Sequence, residues 1–304
     1  MSQGPPLVSV VMNGFNSARY LREAIQSLLD QTYQNWELVF WDNCSTDETE
    51  TIVTRFEDAR IRFYVAPRLM SLAEGRNHAI DLARGDWIAF LDCDDMWLPA
   101  KLELQMTLVC DADSDRTGLV YCRSRSFSKR GDEGETSYQF TGKQLPEGEV
   151  LEELLLQGNF IPLVSAMISR SAWLRVRPIP VEFTFAEDYW LFLAVAEKYR
   201  VVCCQQALAC YRVHEHSATA NNRLLSHLEA LEVMTKWSHY LTPSASRRRK
   251  RQYRALIGIE KVRSGNQVLH GIIQVLASRV YFWILRGALS TGYRRWILRN
   301  RSFS

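Results

Sequence analysis

The sequence predicts an α/β fold built on a mainly parallel sheet, and three observations indicate it. Short apolar, β-branched runs alternate with segments of helical periodicity from residue 7 to residue 91. Such alternation forms parallel sheets with right-handed crossovers. Polar residues directly follow the ends of three predicted strands, which is where ligands bind in such sheets. With 304 residues, 47% of them hydrophobic, the chain has enough apolar side chains for a core.

The first four strand–helix units are read from periodicity and from helix-start signals. The predicted strands cover 7–12, 36–41, 61–66 and 86–91, and apolar residues recur at helical spacing over 18–31. Ser45 with Glu48, and Ser71 with Glu74, have the spacing of a capping box. Helices are therefore expected to begin at both places, the second one running to Leu82.

The rest of the chain is expected to complete this domain and to add an extension. Further helices are predicted over 100–110, 150–157, 187–198 and 221–240, and further strands over 118–122, 162–169, 199–204 and 207–213. Residues 123–148 are polar and typical of loops. We expect two domains, 1–220 and a helical, basic C-terminal extension over 221–304.

The net charge of +3 conceals an uneven distribution of charge along the chain. From Pro243 to the end, fourteen Lys and Arg residues face one acid, Glu260, which gives +13. The rest of the chain holds the other 23 basic and 33 acidic side chains, which gives −10. A basic segment on an acidic body indicates an anionic partner for that segment.

The seven cysteines are an odd number, and none of them forms a C-x-x-C pair. The N-terminus lacks the basic start and long apolar stretch of a signal peptide. We therefore expect reduced thiols, a cytoplasmic location and no zinc site.

Three carboxylates, Asp92, Asp94 and Asp95, directly follow the apolar run 86–91. Ionised carboxylates repel one another and are rarely buried unpaired. A divalent cation would stabilise them, and so would a helix N-terminus, which Asp95 is expected to cap. The alternative is that all three are solvated turn and cap residues.

Five ordered segments of the sequence carry a family resemblance. They read VSVVMNGFN, SLLDQTYQNWELVFWDNCSTDET, GRNHAIDLARGDWIAFLDCDDMWLP, EDYWLFLAVA and YRVHEHS, and they extend from Val8 to Ser217. In this order they resemble the family 2 glycosyltransferases with a GT-A fold. The resemblance implies a GT-A-type nucleotide-binding fold, with a mixed, mainly parallel central sheet flanked by helices. It also implies an inverting transfer from a nucleotide-sugar donor, with Mn²⁺ or Mg²⁺ on the diphosphate.

The resemblance assigns five residues to the donor, which would be a UDP-, GDP- or dTDP-sugar. Phe15 would lie beside the base, and Asp42 would accept hydrogen bonds from uracil or ribose. Asn16, Arg76 and Asp92 would also contact the nucleotide-sugar. For Asp42 an Asx turn is the alternative, and Arg76 is otherwise a solvated helix residue.

Two loops depart from the family pattern. Residues 13–16 read Asn-Gly-Phe-Asn where the family usually has Pro-Thr-Tyr-Asn, and residues 42–45 read Asp-Asn-Cys-Ser for Asp-Asp-Gly-Ser. The missing Thr hydroxyl and Tyr phenol bear on the preference for the donor base more than on activity.

The resemblance also implies the metal ligands and the general base. Asp94 would be the direct metal ligand, Asp92 would face the ribose or a metal-bound water, and His214 would lie near the metal and diphosphate. Asp188 matches the general base that an inverting transfer needs on the acceptor hydroxyl, with Glu187 as the neighbouring candidate. The alternative for both acids is that a helix dipole favours carboxylates in a first turn.

Three residues beside these motifs have two interpretations each. His216 competes with His214 for the phosphate-side role. Trp97 and Trp190 either stack on a sugar ring or pack in the core, and core packing is favoured.

The C-terminal segment combines arginines with apolar residues. SRRRKRQYR (246–254) is a charge block typical of a solvated surface, and no later uncharged apolar stretch reaches the roughly 20 residues that span a bilayer. Trp283 and Trp296 with nearby Arg279 indicate an interfacial helix on anionic lipid. The alternative is a helix packed on the protein with its arginines extended to water.

Together these features predict a metal-dependent, inverting glycosyltransferase at the cytoplasmic face of a bacterial plasma membrane. Its acceptor would be a glycan or a lipid-linked hydroxyl in cell-envelope or extracellular polysaccharide synthesis. One rival is a nucleotidyl- or phosphosugar transferase on a similar fold. The other is a non-catalytic protein that binds anionic lipid or nucleic acid through the basic tail. The intact set of acids argues against that second rival, and no nucleic-acid partner is expected.

Overall fold

The computed structural model describes residues 4–111, 116–128, 134–135, 140, 142–215, 217 and 221–264. The chain divides into two compact units, Met1–Ala218 and Thr219–Ser304. All the strands described lie in the first unit, and the described part of the second unit is helical.

The first unit alternates strands and helices, as expected. Its elements are β1 (Val8–Gly14), α1 (Ala18–Leu29), β2 (Trp36–Asp42), α2 (Thr49–Thr54), β3 (Ile61–Val65), α3 (Leu72–Leu82), β4 (Trp87–Phe90), β5 (Met96–Trp97), α4 (Lys101–Asp111), β6 (Thr117–Phe127), β7 (Gly134–Glu135), α5 (Leu151–Gln157), β8 (Met167–Ser169), α6 (Arg170–Val176), α7 (Glu187–Ala196) and β9 (Arg200–Arg212). A 3₁₀ turn over Leu163–Ser165 precedes β8.

The described strands form one mixed sheet in the order β3-β2-β1-β4-β8-β6-β9-β5, with β7 paired to β6. The long ladders are parallel and join β1 to β2 and β4, β2 to β3, and β6 to β9. The antiparallel ladders, β4–β8, β5–β9, β6–β7 and β6–β8, are only two or three residues long. The predicted fold class, a mixed and mainly parallel sheet flanked by helices, is confirmed.

The sheet is held by apolar packing on both of its faces. Strand β2 is buried along its whole length, as expected for a central strand of a covered parallel sheet. Helix α1 buries Leu21, Ala24, Ile25 and Leu28, which recur at i, i+3, i+4 and i+7. Burying one such leucine or isoleucine contributes about 1.5–3 kcal/mol. This packing fixes where the strands end, and therefore where the following loops begin.

The two predicted capping boxes have different outcomes. Ser71 caps α3, because its hydroxyl accepts from the Glu74 amide at 3.2 Å. The prediction for Ser45 is wrong, since α2 begins only at Thr49 and has no side-chain cap. The Ser45 hydroxyl instead accepts from the Asn16 amide at 2.8 Å, so a contact between two loops replaces the local cap.

Three strand predictions and one cap prediction need correction. Residues 162–169 form a 3₁₀ turn and the short β8, and Pro162, which has no amide donor for a sheet ladder, lies outside the strand. The strands predicted over 199–204 and 207–213 are one strand, β9, whose pairing with β6 is irregular. Asp95 does not cap α4, because that helix begins at Lys101 and the Asp95 carboxylate accepts from the Arg212 amide.

The described residues of the second unit form α8 (Arg223–Lys236), a 3₁₀ turn (Ser238–Tyr240) and α9 (Pro243–Arg263). Thr242 caps the N-terminus of α9, because its hydroxyl accepts from the Ala245 amide, and Pro243 follows it as the first residue of the helix. Among the described helices none has the length and apolarity needed to cross a bilayer. The predicted interfacial segment with Arg279, Trp283 and Trp296 lies outside the described residues.

Candidate active site

The loops that follow β1, β2 and β4 meet at one edge of the sheet. Gly14, which ends β1, lies opposite Asp42, which ends β2, and the Asn43 amide donates to the Gly14 carbonyl at 2.8 Å. After β4, the Leu91 amide donates to the Val11 carbonyl at 3.1 Å. The carboxyl ends of three parallel strands therefore lie side by side, where ligands bind in open α/β sheets.

Asn16 joins the first two of these loops. Its backbone has a positive φ of 50°, a conformation that asparagine tolerates better than most residues. Its amide donates to the Ser45 hydroxyl at 2.8 Å, and its side-chain oxygen accepts from the Thr46 amide at 2.8 Å. Asn16 thus fixes the loop that follows Asp42. Its predicted contact with the donor stays a prediction.

One departure from the family pattern has a packing reason. Gly14 stands where the family usually has threonine, and a Cβ at Gly14 would lie 2.6 Å from Cζ of Phe40. The Phe40 ring is fully buried and stacks on Phe63, with the centroids 5.5 Å apart. A side chain at position 14 would therefore displace a core aromatic residue.

Asp42 and Phe15, the two residues predicted to contact the nucleoside, differ in burial and bonding. Oδ2 of Asp42 accepts from the Ser45 amide at 3.0 Å, which is a local turn related to the alternative, although it reaches one residue further than an Asx turn. Oδ1 is buried and has no hydrogen-bond partner among the described residues. The turn therefore uses one oxygen and leaves the other available to a ligand donor. Phe15 is 51% exposed, an unusual fraction for a phenylalanine in a folded domain.

The acidic cluster after β4 divides into two partly exposed carboxylates and one buried carboxylate. Asp92 and Asp94 have side-chain exposures of 38% and 34%. Oδ2 of Asp94 lies 2.8 Å from Nε2 of His214, and Oδ1 of Asp92 lies 3.7 Å from Nη2 of Arg76. Asp95 is buried, and its Oδ1 accepts from the Arg212 amide at 2.8 Å.

Burial and like charge raise the pKa of two carboxyls in this cluster. Burial raises the pKa of Asp92 to about 6; Arg76 opposes the shift, and Asp94 and Glu187 add to it. Burial, followed by the Asp94 and Asp92 charges, also raises the pKa of Asp95 well above its usual range. A cation at this edge would offset that repulsion.

The side chains that could ligate a metal form only part of a site for a hard divalent ion. Over the described ranges, no three His, Cys, Asp or Glu side chains gather closely enough to hold a metal by themselves. Asp94 and His214 bring one oxygen and one nitrogen together, and Asp92 is two residues away. Mg²⁺ and Mn²⁺ are often held by one or two carboxylates, with phosphates and water completing the shell. The arrangement is therefore compatible with an ion that arrives with a diphosphate.

A buried ion pair connects the acidic cluster to α7. Nη1 of Arg76 donates to Oε1 of Glu187 at 2.5 Å, and the two side chains are only 3% and 6% exposed. Oε2 of Glu187 is buried and has no partner in the described part of the chain. Arg76, which was also considered as a solvated helix residue, is instead buried between Glu187 and Asp92. Its predicted donor contact stays a prediction.

Asp188, next to Glu187, is held by two hydrogen bonds. Its Oδ2 accepts from Nδ2 of Asn159 at 2.9 Å, and its Oδ1 accepts from the Tyr189 amide at 2.6 Å. Asp188 is only partly buried, so it can meet a ligand. Burial, followed by the neighbouring Glu187 charge, raises the pKa of Asp188 to about 7, although Arg76 opposes the shift. A carboxylate that titrates near neutral pH suits a general base.

The structure adds two residues that the sequence reasoning did not assign. Arg212 lies between the rings of Tyr20 and Phe127, and its Nε donates to the Asp94 carbonyl at 2.7 Å. The sequence signal that could have identified Arg212 is its position two residues before His214. Asn159 follows Gly158, whose φ is 85°, and nothing local connects it to Asp188.

The residues with two interpretations are partly settled. Trp97 is buried, and its Nε1 donates to the Val164 carbonyl at 2.8 Å, which confirms core packing. Trp190 is half-buried, and His216 lies outside the described residues. All seven cysteines are free thiols.

Comparison with known proteins gives a family, a relative and two structural neighbours. The family model described as "Glycosyl transferase family 2" matches residues 9–175. The chain is 29% identical over 217 residues to the UDP-Glc:alpha-D-GlcNAc-diphosphoundecaprenol beta-1,3-glucosyltransferase WfgD of Escherichia coli. That match covers 71% of this chain and 80% of the relative.

Both structural neighbours support the fold. S. aureus TarS 1–349 in complex with UDP-GlcNAc superposes with a TM-score of 0.67 at 17% identity, over 89% of this chain and 79% of that one. The mannosyltransferase PcManGT from Pyrobaculum calidifontis, in complex with GDP-Man and Mn²⁺, superposes with a TM-score of 0.63 at 19% identity, over 96% of this chain and 83% of that one.

Proposed function

This chain belongs to glycosyl transferase family 2, and from that premise we propose that it transfers a sugar, with inversion, from a nucleotide-sugar to the hydroxyl of a glycan or lipid-linked acceptor. Family membership makes it a glycosyltransferase, which argues against the nucleotidyltransferase rival and the non-catalytic rival. The donor, the acceptor, the metal and the residue roles are the proposed part.

One observation carries the proposal. A buried carboxylate oxygen without a hydrogen-bond partner among the described residues, a pair of acids and a carboxylate of raised pKa lie close together near one edge of the sheet. Asp42 keeps one buried oxygen without a partner. Asp92 and Asp94 are partly exposed at the end of the neighbouring strand. Arg76 connects Asp92 to Glu187, the residue beside Asp188. In the proposed reaction, the first feature would bind the nucleoside, the second would face the diphosphate, and the third would take the proton of the acceptor hydroxyl.

In the proposed reaction, Asp188 is the general base. Its carboxylate accepts the proton of the acceptor hydroxyl as the oxygen attacks the anomeric carbon and the nucleoside diphosphate leaves from the opposite face. Hydrogen bonds from Asn159 and the Tyr189 amide fix the orientation of the carboxylate. Glu187 is buried against Arg76, so it is the less suited of the two as the base, and its charge helps to raise the pKa of Asp188.

The residues that would hold a divalent ion are Asp94, His214 and Asp92. When bound, Mn²⁺ or Mg²⁺ supplies Lewis-acid stabilisation of the charge that develops on the leaving diphosphate. Arg212 keeps the Asp94 backbone in place. Phe15, Asn16, Asp42 and Arg76 form the nucleotide side of the proposed site.

The relatives and neighbours support the substrate classes. The relative WfgD is named for a UDP-Glc donor and a diphosphoundecaprenol-linked acceptor. Of the two structural neighbours, TarS is in complex with UDP-GlcNAc, and PcManGT is in complex with GDP-Man and Mn²⁺. We propose a UDP-, GDP- or dTDP-sugar as the donor and a role in cell-envelope polysaccharide synthesis. The catalytic domain would be 1–220, and the extension over 221–304 would associate peripherally with the cytoplasmic membrane face.

The test is a thermal-shift screen of the whole protein with UDP-, GDP- and dTDP-sugars, each with Mn²⁺, Mg²⁺ or EDTA. Ligands that bind only the folded state raise its melting temperature by mass action. We expect one nucleotide class to raise the melting temperature with metal, and the increase to disappear with EDTA and in Asp94→Ala. Asp30→Ala, which removes an exposed acid at the end of α1, is the matched control and should respond like wild type.

A folded sample that responds to no donor would contradict the proposal. So would a full response of Asp94→Ala in the presence of metal. Once a donor is found, transfer to a lipid-linked acceptor, followed by anomeric analysis of the product, tests the inverting outcome.

A further inference from the structure

The first half of α9 carries an arginine face, which consists of Arg247, Arg248, Arg251 and Arg254. All four side chains are exposed. Arg247, Arg251 and Arg254 recur at i, i+4 and i+7, so they lie on one side of the helix, with Arg248 at its flank. Tyr253, in the same stretch, is buried. The helix therefore has a packed side and a cationic side.

The arginine face has no counter-charge within the helix. Helix α9 contains a single acid, Glu260, and that residue pairs with Arg263 at 2.8 Å. The side chain of none of these four arginines forms a hydrogen bond or ion pair with another described residue. Arg249, which is not part of the face, instead bonds Gln252 at 2.9 Å and the Tyr253 hydroxyl at 3.2 Å. The sequence thus anchors one arginine internally and leaves its neighbours to solvent.

Such a face is electrostatically unfavourable by itself. Like charges at i and i+4 on a helix destabilise it by a few tenths of a kcal/mol, roughly 0.2–0.5 per pair. The repulsion is relieved when the face meets a dense negative charge, and each arginine near an anionic membrane contributes about 1 kcal/mol of binding.

We propose that the arginine face of α9 is the surface with which this unit binds a bilayer that carries anionic headgroups. A rigid helix presents these charges as a continuous strip, which suits a planar charged surface. Tyr240, in the turn just before α9, is 48% exposed, and tyrosine is enriched at membrane interfaces. Tyr253, the one aromatic residue of α9, is buried and offers no ring on which nucleic-acid bases could stack.

This inference deepens the proposed function, because it rests on an acceptor that is carried by a membrane lipid. The contact surface within the extension is the arginine face of α9, which lies before residue 264.

The test measures flotation of the full-length protein with vesicles, without donor or acceptor. The vesicles contain phosphatidylcholine alone, or phosphatidylcholine and phosphatidylglycerol in equal amounts, at low and at high ionic strength. The variant carries Arg247→Glu, Arg251→Glu and Arg254→Glu. The control carries Arg55→Glu, Arg175→Glu and Arg200→Glu, which makes the same charge change at exposed positions of the first unit.

We expect wild type and control to bind the anionic vesicles in a salt-sensitive manner and to ignore neutral ones. The α9 variant should bind the anionic vesicles at least roughly 100-fold more weakly, because each of the three substituted arginines contributes about 1 kcal/mol of binding. Equal binding by the α9 variant and wild type would overturn the proposal, as would an equal loss in the control. Binding to neutral vesicles, or no vesicle binding by wild type, would also overturn it.

A second variant separates loss of positive charge from introduction of negative charge, and a second readout separates vesicle binding from donor binding. Arg247→Gln, Arg251→Gln and Arg254→Gln removes charge without reversing it, and should weaken binding in the same direction if the helix stays folded by circular dichroism. The donor-induced thermal shift should be unchanged in both α9 variants. Failure of vesicle binding with an intact donor response would therefore overturn this inference and leave the proposed transfer reaction standing.

Discussion

Asn159 donates a hydrogen bond of 2.9 Å from Nδ2 to Oδ2 of Asp188. Asn159 lies in the loop after α5, and Asp188 lies in the first turn of α7. The other carboxylate oxygen accepts from the Tyr189 amide at 2.6 Å. The proposed base is therefore fixed from two sides while it stays partly exposed.

The first prediction concerns the identity of the base. Asp188→Asn should lower kcat by about 10²–10⁴-fold, because the amide cannot accept the acceptor proton. The donor-induced thermal shift should remain, since the proposed mechanism places Asp188 at the acceptor hydroxyl and not at the nucleotide. Glu187→Gln should cost less than Asp188→Asn. If instead Glu187→Gln abolishes turnover and Asp188→Asn retains it, the two roles are exchanged.

The second prediction concerns pH. A general base at Asp188 would act as a carboxylate, and the pKa of Asp188 is raised to about 7, so kcat/KM should be low in acid and rise to a plateau above that value. Glu187, Arg76 and Asp92 also act on this carboxyl, and protonation of the two acids would lower the pKa of Asp188. Initial rates at subsaturating acceptor across the neutral range give the profile. A flat profile would contradict the assignment.

The third prediction uses Asn159 to separate positioning from folding. A hydrogen bond to the ionised carboxyl stabilises that form, so Asn159→Ala should shift the profile to higher pH and lower kcat/KM about tenfold at neutral pH. Asn77→Ala is the matched control, because the Asn77 side chain bonds Ile179 backbone atoms at 2.8 and 2.9 Å and not a carboxylate. It should affect stability and leave the profile in place. Equal profiles for both variants would show that Asn159 has only a structural role.

Much of the fold was predictable because strong periodicity and burial coincide. The apolar spacing in α1 and the β-branched run in β1 reflect packing that the structure shows. Local signals failed where a tertiary contact competes with them. Ser45 has the spacing of a capping residue, yet its hydroxyl accepts a hydrogen bond from the amide of Asn16, which is 29 residues away in sequence. The two-residue strand β5 was too short to have a periodicity.

The candidate site was predictable only in part, for a related reason. Asp42 and Asp92 directly follow the predicted strands 36–41 and 86–91, and they lie at or just past the ends of β2 and β4, so the rule for parallel sheets places them at one edge. The burial of Arg76 against Glu187 depends on how α3 meets α7, 111 residues apart. No local pattern encodes that contact, and the same holds for Asn159 and Asp188.

The fourth prediction distinguishes the two uses of Asp42. Asp42→Asn keeps one oxygen that can accept from the Ser45 amide, so this local turn and the melting temperature should be nearly unchanged. The amide group replaces the orphaned acceptor oxygen with a donor, so affinity for the nucleotide should fall about 10–100-fold. Titration calorimetry with the free nucleoside diphosphate measures it. Unchanged affinity together with a lower melting temperature would restrict Asp42 to the turn.

The fifth prediction compares two ion pairs of the same length and different burial. Arg76–Glu187 and Arg68–Glu74 both have N–O distances of 2.5 Å, but the side chains are 3% and 6% exposed in the first pair and 63% and 26% in the second. Arg76→Ala leaves a buried carboxylate without its partner, so it should lower the free energy of unfolding by about 3–5 kcal/mol. Arg68→Ala should cost about 0–1 kcal/mol.

Urea denaturation without ligands measures both changes, and a double variant tests the cause. Arg76→Met with Glu187→Leu replaces both charges by apolar groups of similar size, so much of the stability lost in Arg76→Ala should return. Transfer activity should stay low in the double variant, because Asp188 and Asp92 lose the charges that flank them. Equal costs for Arg76→Ala and Arg68→Ala would mean that burial does not set the strength of this pair. Recovery of activity along with stability would mean that the pair serves the fold alone.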